Sequence, residues 1–280
     1  MADEFGHGGG VGPTTPLPPG PLLTIGDGAL WVDVAPTAGG RIAQIRVDGI
    51  EQLVGHGDYE ATAAIAWGSY PMLPWCGRLR DGRFIFVGEQ HCLPANLGAH
   101  AIHGLGFLLP WQVQAASARE VELALQLPED ARWPFGGSAR QHLAVDGRRL
   151  RMTLSVTAGA RAMPVARGWH PWFRKPDRLE FSPEAMYPRD AAGIAVRPVV
   201  EVGPGPWDDC FINRHEVVLE RNGQRLRIGS ACIDWVVYDG TAHATCVEPQ
   251  TAPPDSFNLS PRARLAPGET MHAECVFAWD

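Results

Sequence analysis

From Leu22 onward the chain is a succession of short apolar runs broken by turn-forming dipeptides. Residues 30–34, 41–47 and 50–54 read as strands, the last two joined by Asp48-Gly49, a hairpin signal. Residues 84–87 lead through Gly88-Glu89 to 91–93. Residues 121–127, 141–145 and 150–156 alternate apolar with polar, the period of a half-buried strand, and Asp146-Gly147 joins the last two. Residues 216–219 and 224–228 flank Asn222-Gly223, another hairpin dipeptide, and 233–238, 244–247 and 271–279 complete the set. No helix longer than about two turns is expected, because 25 Pro and 32 Gly oppose long helices. Many short strands with frequent turn signals predict an all-β sandwich or barrel.

Length and composition set the scale. The 280 residues, 45% of them hydrophobic, suffice for a large buried core. Residues 1–21 are Gly/Pro-rich and expected to be a disordered tail. Nothing resembling a linker interrupts 22–280, expected to be one domain, and no fixed-period repeat suggests a propeller. The net charge of -7 is spread along the chain, and no run of five Lys/Arg occurs. A nucleic-acid partner or an anionic membrane surface is therefore not expected, and a small uncharged or cationic ligand fits better. The six Cys form no C-x-x-C pair and are expected to be reduced. The first 21 residues hold no apolar signal core, and no stretch is long and apolar enough to span a bilayer. A soluble cytoplasmic protein, monomer or homodimer, is the expectation.

Candidate chemistry centres on Glu248 in Thr245-Cys246-Val247-Glu248-Pro249-Gln250. Pro249 cannot donate to a sheet ladder, so Glu248 is expected at the end of a strand. His170, in Gly168-Trp169-His170-Pro171-Trp172-Phe173, supplies a second titratable group on another strand. An acid and a base on separate strands are what proton transfer requires. Arg78 follows an apolar, Pro-rigidified run and reads as a surface arginine or as a donor fork for ligand hydroxyls. His103 lies in Ile102-His103-Gly104, where glycine allows close ligand approach, and otherwise reads as a buried structural histidine. Asp208 and Asp209 are adjacent carboxylates in a Pro/Gly-rich loop, either a solvated turn or acceptors for ligand hydroxyls. There is no H-x-H, no H-E-x-x-H, no P-loop and no G-x-G-x-x-G, so neither a metal nor a cofactor is expected.

Taken in order, these segments resemble the aldose 1-epimerase (galactose mutarotase) family. The resemblance rests on Gly39-Gly40-Arg41-Ile42, on Pro74-Trp75-Cys76-Gly77-Arg78 through Phe84, and on Ile102-His103-Gly104. It continues through Gly168 to Phe173, Asp208-Asp209-Cys210-Phe211, and Glu248-Pro249-Gln250 with Asn258. It implies one large antiparallel β-sandwich, the galactose mutarotase-like supersandwich, with a sugar site on the concave face of a sheet. It further implies His170 as general acid and Glu248 as general base, with Arg78, His103 and Asp208 holding the hydroxyls of an aldose. Gly77 stands where the best-known members carry Asn, and Leu105 where a second Gly is common, which places the chain in a divergent branch. Two alternatives are hexose-6-phosphate 1-epimerization, with Arg41, Arg80, Arg83 or Arg174 as phosphate ligands, and non-catalytic carbohydrate binding on the same fold.

Overall fold

The computed structural model describes residues 12–259 and 263–280. Two large antiparallel sheets dominate it. One has ten strands and runs Leu23–Asp27, Leu30–Ala35, Arg41–Val47, Ser69–Met72, Gly168–Arg174, Ala244–Gln250, Asp234–Tyr238, Asp208–Ile212 and Ala185–Tyr187, with Ile50–Glu51 paired to Arg41–Val47. The other has eight and runs Gln112–Ala116, Glu120–Gln126, Ser138–Asp146, Arg149–Thr157, Thr270–Trp279, Gln224–Ser230, Val217–Arg221 and Arg178–Glu180. No helix among the described residues is long and apolar enough to cross a membrane.

The turns explain the pairing. Asp48 and Gly49 have φ of 50° and 80°, and Asn222 and Gly223 have 49° and 75°. Two consecutive left-handed residues make the two-residue turn whose twist matches that of the flanking strands. A third such turn falls on Val87-Gly88 (φ 51° and 80°), one residue before the Gly88-Glu89 expected from sequence. A β-branched residue there pays a steric cost, and nothing else in its surroundings accounts for its choice.

Two expectations are corrected. Of the disordered tail expected over 1–21, residues 1–11 lie outside the described residues, but the chain is placed from Gly12 on. Leu17 is buried, and its N–H donates to the Thr62 carbonyl at 2.9 Å, while Ala64 and Ile65 N–H groups bond to Thr15 and Pro13. Prolines restrict the free chain, so this segment loses little entropy on docking. Pro249 does not end its strand either. Ala244–Gln250 runs through it, with Pro249 opposite Trp235 on one side. On the other side, pairing with Gly168–Arg174 is present at Gly168–Gln250 and resumes at Trp172–Cys246. The gap spans Pro171 and Pro249, neither of which has an N–H to give. Glu248 thus lies inside a central strand of the ten-stranded sheet.

Alternation along these strands sorts side chains into two sets. Trp169, Phe173, Val247 and Trp235 enter the core between the sheets. His170, Trp172, Cys246, Glu248, Val236 and Tyr238 face the opposite side.

Arg41 anchors that side. It is fully buried, and its guanidinium donates to four carbonyls: Nε to Ala38 at 2.7 Å, Nη1 to Ala64 at 2.8 Å and Trp67 at 3.0 Å, and Nη2 to Phe107 at 2.9 Å. It lies over the Trp67 ring at 4.3 Å. Burial pulls its pKa down to about 9. The planar fork reaches three separate segments at once, which an ammonium cannot do. Arg41→Lys is predicted to cost about 2–4 kcal/mol in urea unfolding, since buried carbonyls lose their donors. A loss below about 0.5 kcal/mol, the scale of a surface substitution, would contradict this.

Candidate active site

Register places two rows of side chains across the ten-stranded sheet. Tyr70 is opposite His170, and on the far side Glu248 is opposite Val236, which is opposite Cys210. In the next row Trp172 is opposite Cys246, then Tyr238, then Asp208. All of these but Tyr70 and Cys246 line a cleft of about 300 Å³, the lower end of the ordinary range for ligand sites. Arg78, His103, His170, Trp172, Arg189, Asp208, Asp209, Tyr238 and Glu248 all line it. The structure therefore brings all five expected site residues to one cavity. A larger hollow of about 580 Å³ lies on the outer face of the eight-stranded sheet. Its charged lining includes Arg151 paired with Glu274, and Arg227 paired with Asp280, so it is a solvated groove between surface ion pairs.

His170 Nε2 is 3.2 Å from Glu248 Oε1. The imidazole is held between two rings, Tyr70 at 4.7 Å and 24° and Trp172 at 5.5 Å and 22°. The Gln250 amide donates to the other Glu248 oxygen at 3.4 Å. Both partners are buried (6% and 2% exposed), so desolvation governs their protonation. Burial pushes the Glu248 carboxyl well up, with Asp208 adding to it and the Arg78 charge opposing. Burial likewise pulls the His170 imidazole down to about 3. Desolvation thus disfavours the charged form of each partner.

His103 reaches the cleft through an unusual backbone. Its φ is +57°, in the left-handed region rarely adopted by residues other than glycine. Gly104 follows at +73°, where a Cβ would lie 1.9 Å from the Leu73 carbonyl oxygen. The Gly77 N–H donates to His103 Nδ1 at 3.2 Å, and the His103 N–H returns a bond to the Gly77 carbonyl at 3.0 Å. Nδ1 is thus the acceptor, which leaves the proton on Nε2 as a donor. Burial first, then the neighbouring His170 and Arg78, hold its pKa well below the usual value. Gly77 itself has φ +63°, a conformation that asparagine also tolerates. Here a Cβ would meet the Pro254 ring at 2.6 Å, which accounts for the glycine.

Sequence reasoning did not find Arg189. Its Nη1 is 2.7 Å from Asp208 Oδ2, and its Nε is 2.9 Å from Asp209 Oδ1. It holds both carboxylates at the rim, and Asp208 shares the row of Cys246 and Tyr238. An isolated Pro188-Arg189-Asp190 carries no signal of this role. Arg78 has no ion pair among the described residues, so its donors are available to a ligand. Tyr70 was legible only as part of an apolar run. Asn258 lies outside the cleft, donating to the Arg83 carbonyl at 2.9 Å and Asp255 at 2.8 Å.

A model of the aldose 1-epimerase family matches residues 21–278. The uncharacterised protein YphB of Escherichia coli K12 is 30% identical over 175 residues, covering 61% of this chain and 56% of YphB, so the chain aligns with little more than half of that relative. The uncharacterised protein YihR of the same organism is 24% identical over 253 residues, 79% of this chain and 81% of YihR. Among solved structures, a galactose mutarotase-like protein from Clostridium acetobutylicum superposes with a TM-score of 0.81 at 16% identity, covering 92% of this chain and 95% of that one. The GalM/aldose epimerase homologue from C. elegans gives 0.80 at 16%, covering 93% and 98%.

Both histidines are held below their ordinary pKa, so each ring is neutral at pH values above its lowered midpoint. At pH 6.5, the ordinary histidine midpoint, imidazole ¹⁵N spectra are predicted to show neutral rings for both, with His103 as the Nε2–H tautomer. A protonated His103 at that pH would contradict the burial argument.

Proposed function

The chain belongs to the aldose 1-epimerase family, a family of isomerases, and we propose that it interconverts the α- and β-anomers of a hexose by acid–base opening and reclosure of the ring. The observation that carries this reading is the buried His170–Glu248 contact of 3.2 Å on the cleft floor. Ring opening needs a proton delivered to the ring oxygen and one removed from the anomeric hydroxyl. His170 donates and Glu248 accepts. Rotation about C1–C2 turns the aldehyde over, and reclosure reverses the roles.

Proton bookkeeping supports the pairing. The two residues carry one proton between them before and after each half-reaction, and only its location changes. Loss of hydration makes the charged form of each partner costly, and the Arg78 charge opposes that cost at the Glu248 carboxylate. Arg78, the Nε2–H of His103, and Asp208 held by Arg189 are placed to bind hydroxyls.

The four arginines named for the phosphorylated-sugar alternative lie away from the cleft. Arg41 is consumed by carbonyls, Arg80 pairs with Asp190 at 2.7 Å, and Arg174 pairs with Glu51 and Asp58 at 2.6 Å each. None of these, nor Arg83, lines the cleft. A binding module would gain nothing from a desolvated acid–base pair, which costs folding stability.

Polarimetry on freshly dissolved α-anomers tests the reading. The parent protein is predicted to speed mutarotation of neutral aldoses more than that of their 6-phosphates. Glu248→Gln and His170→Asn should each lower the rate at least about 10²-fold. Wild-type rates in Glu248→Gln, or a fall of less than about threefold in His170→Asn, would remove these roles.

A further inference from the structure

Cys246 has no task in the reaction proposed above and does not line the cleft, yet it lies beside the acid–base pair. It lies two residues before Glu248 on the same face of one strand. It is fully buried, flanked by its cross-strand neighbours Trp172 and Tyr238, whose rings meet edge to face at 5.9 Å. Its sulfur, a nitrogen of His170 and an oxygen of Glu248 all lie within 4.8 Å of one another.

We propose that His170, Cys246 and Glu248 form a site for a thiophilic divalent cation of the zinc class, and that its occupancy shuts the acid–base pair down. Zinc bonds to imidazole, thiolate and carboxylate are about 2.0–2.3 Å long, which places tetrahedral ligand atoms roughly 3.3–3.7 Å apart. The nitrogen–oxygen separation of 3.2 Å already fits. A sulfur within 4.8 Å of both needs at most about 1 Å of side-chain adjustment. His170 and Glu248 line the cleft, so the fourth position opens toward it and takes water. One thiolate, one carboxylate and a divalent cation sum to zero charge, which suits a buried site. Binding releases the thiol proton and the carboxyl proton to solvent. The nitrogen and sulfur donors favour zinc or cobalt over magnesium or calcium, which require oxygen shells. A cation here ties up both His170 Nε2 and Glu248, so proton transfer to a sugar stops. That inhibitory half rests on the proposed function, whereas the binding half rests on geometry alone.

Titration of the chelator-treated full chain with Co²⁺ tests it, read by absorption. We expect saturation at one equivalent with a thiolate-to-cobalt charge-transfer band. Cys246→Ser should lose the band and bind at least about tenfold more weakly, while keeping the parent's basal anomer exchange. Zn²⁺ should inhibit the parent in competition with the aldose and inhibit Cys246→Ser at least about tenfold less. Cobalt binding without the band, equal affinity in Cys246→Ser, or full turnover with zinc saturating would overturn the proposal. The cobalt reading requires no variant and no activity. A band in a protein that turns over no aldose therefore supports the metal site and counts against the epimerase reading, while turnover without the band does the reverse.

Discussion

The register between Gly168–Arg174 and Ala244–Gln250 is the constraint on which the site depends. It sets Trp172 opposite Cys246, and hence His170 opposite Glu248. Side chains alternate along a strand, so a slip of one residue would send His170 and Glu248 into the sandwich and bring Trp169 and Val247 out. Nothing local protects that register, because Pro171 and Pro249 interrupt the ladder between its ends. The large core residues protect it instead. Trp169, Phe173, Val247 and Trp235 fill the space between the sheets, and a slip would expose all four. The apolar core thus fixes the polar pair on its reverse face.

The same packing sets the chemistry. Tyr70 and Trp172 clamp the imidazole, and Arg41 ties the Phe107 carbonyl and the neighbouring loop carbonyls behind Tyr70. These contacts exclude water from His170 and Glu248, and loss of hydration raises one pKa while lowering the other. In water the pair would rest as imidazolium beside carboxylate or as two independent groups. In this cleft both charged forms are disfavoured, and in the proposed reaction the two ends face the two oxygen atoms of a hemiacetal. In the proposed reaction, binding hydroxyls falls to Asp208, restrained with Asp209 by Arg189 at the rim, and to His103, a buried donor on a left-handed backbone.

Much of this was legible in the sequence. The hairpins at Asp48-Gly49 and Asn222-Gly223 announce themselves because the turn geometry demands residues that tolerate positive φ. The long alternating strands of the second sheet were equally plain, since half of each faces solvent. The central strands of the first sheet were harder. Ser69–Met72 is short and buried on both sides, so it shows no period, and Pro249 argued for an end that tertiary pairing overrode. The five candidate residues, all of which line the cleft, were read as an ordered set of motifs. Arg189 was not, because an arginine that matters by pairing with Asp208 and Asp209 looks, in one dimension, like any surface arginine. The role of Gly77 was also hidden, since it depends on Pro254, remote in sequence. Arg41 fell within a family-like segment and read as an available cation. Only the fold reveals that carbonyls from distant loops consume it.

The central claim is that one sugar spans this pair, with its ring oxygen at the imidazole and its anomeric hydroxyl at the carboxylate. A crystal structure of the Glu248→Gln variant soaked with a neutral aldose tests it most directly. The account predicts the ring oxygen within hydrogen-bond reach, about 2.6–3.2 Å, of His170 Nε2 and the anomeric oxygen equally close to the residue 248 side chain. A sugar bound in the cleft with its anomeric carbon turned away from both residues would contradict it.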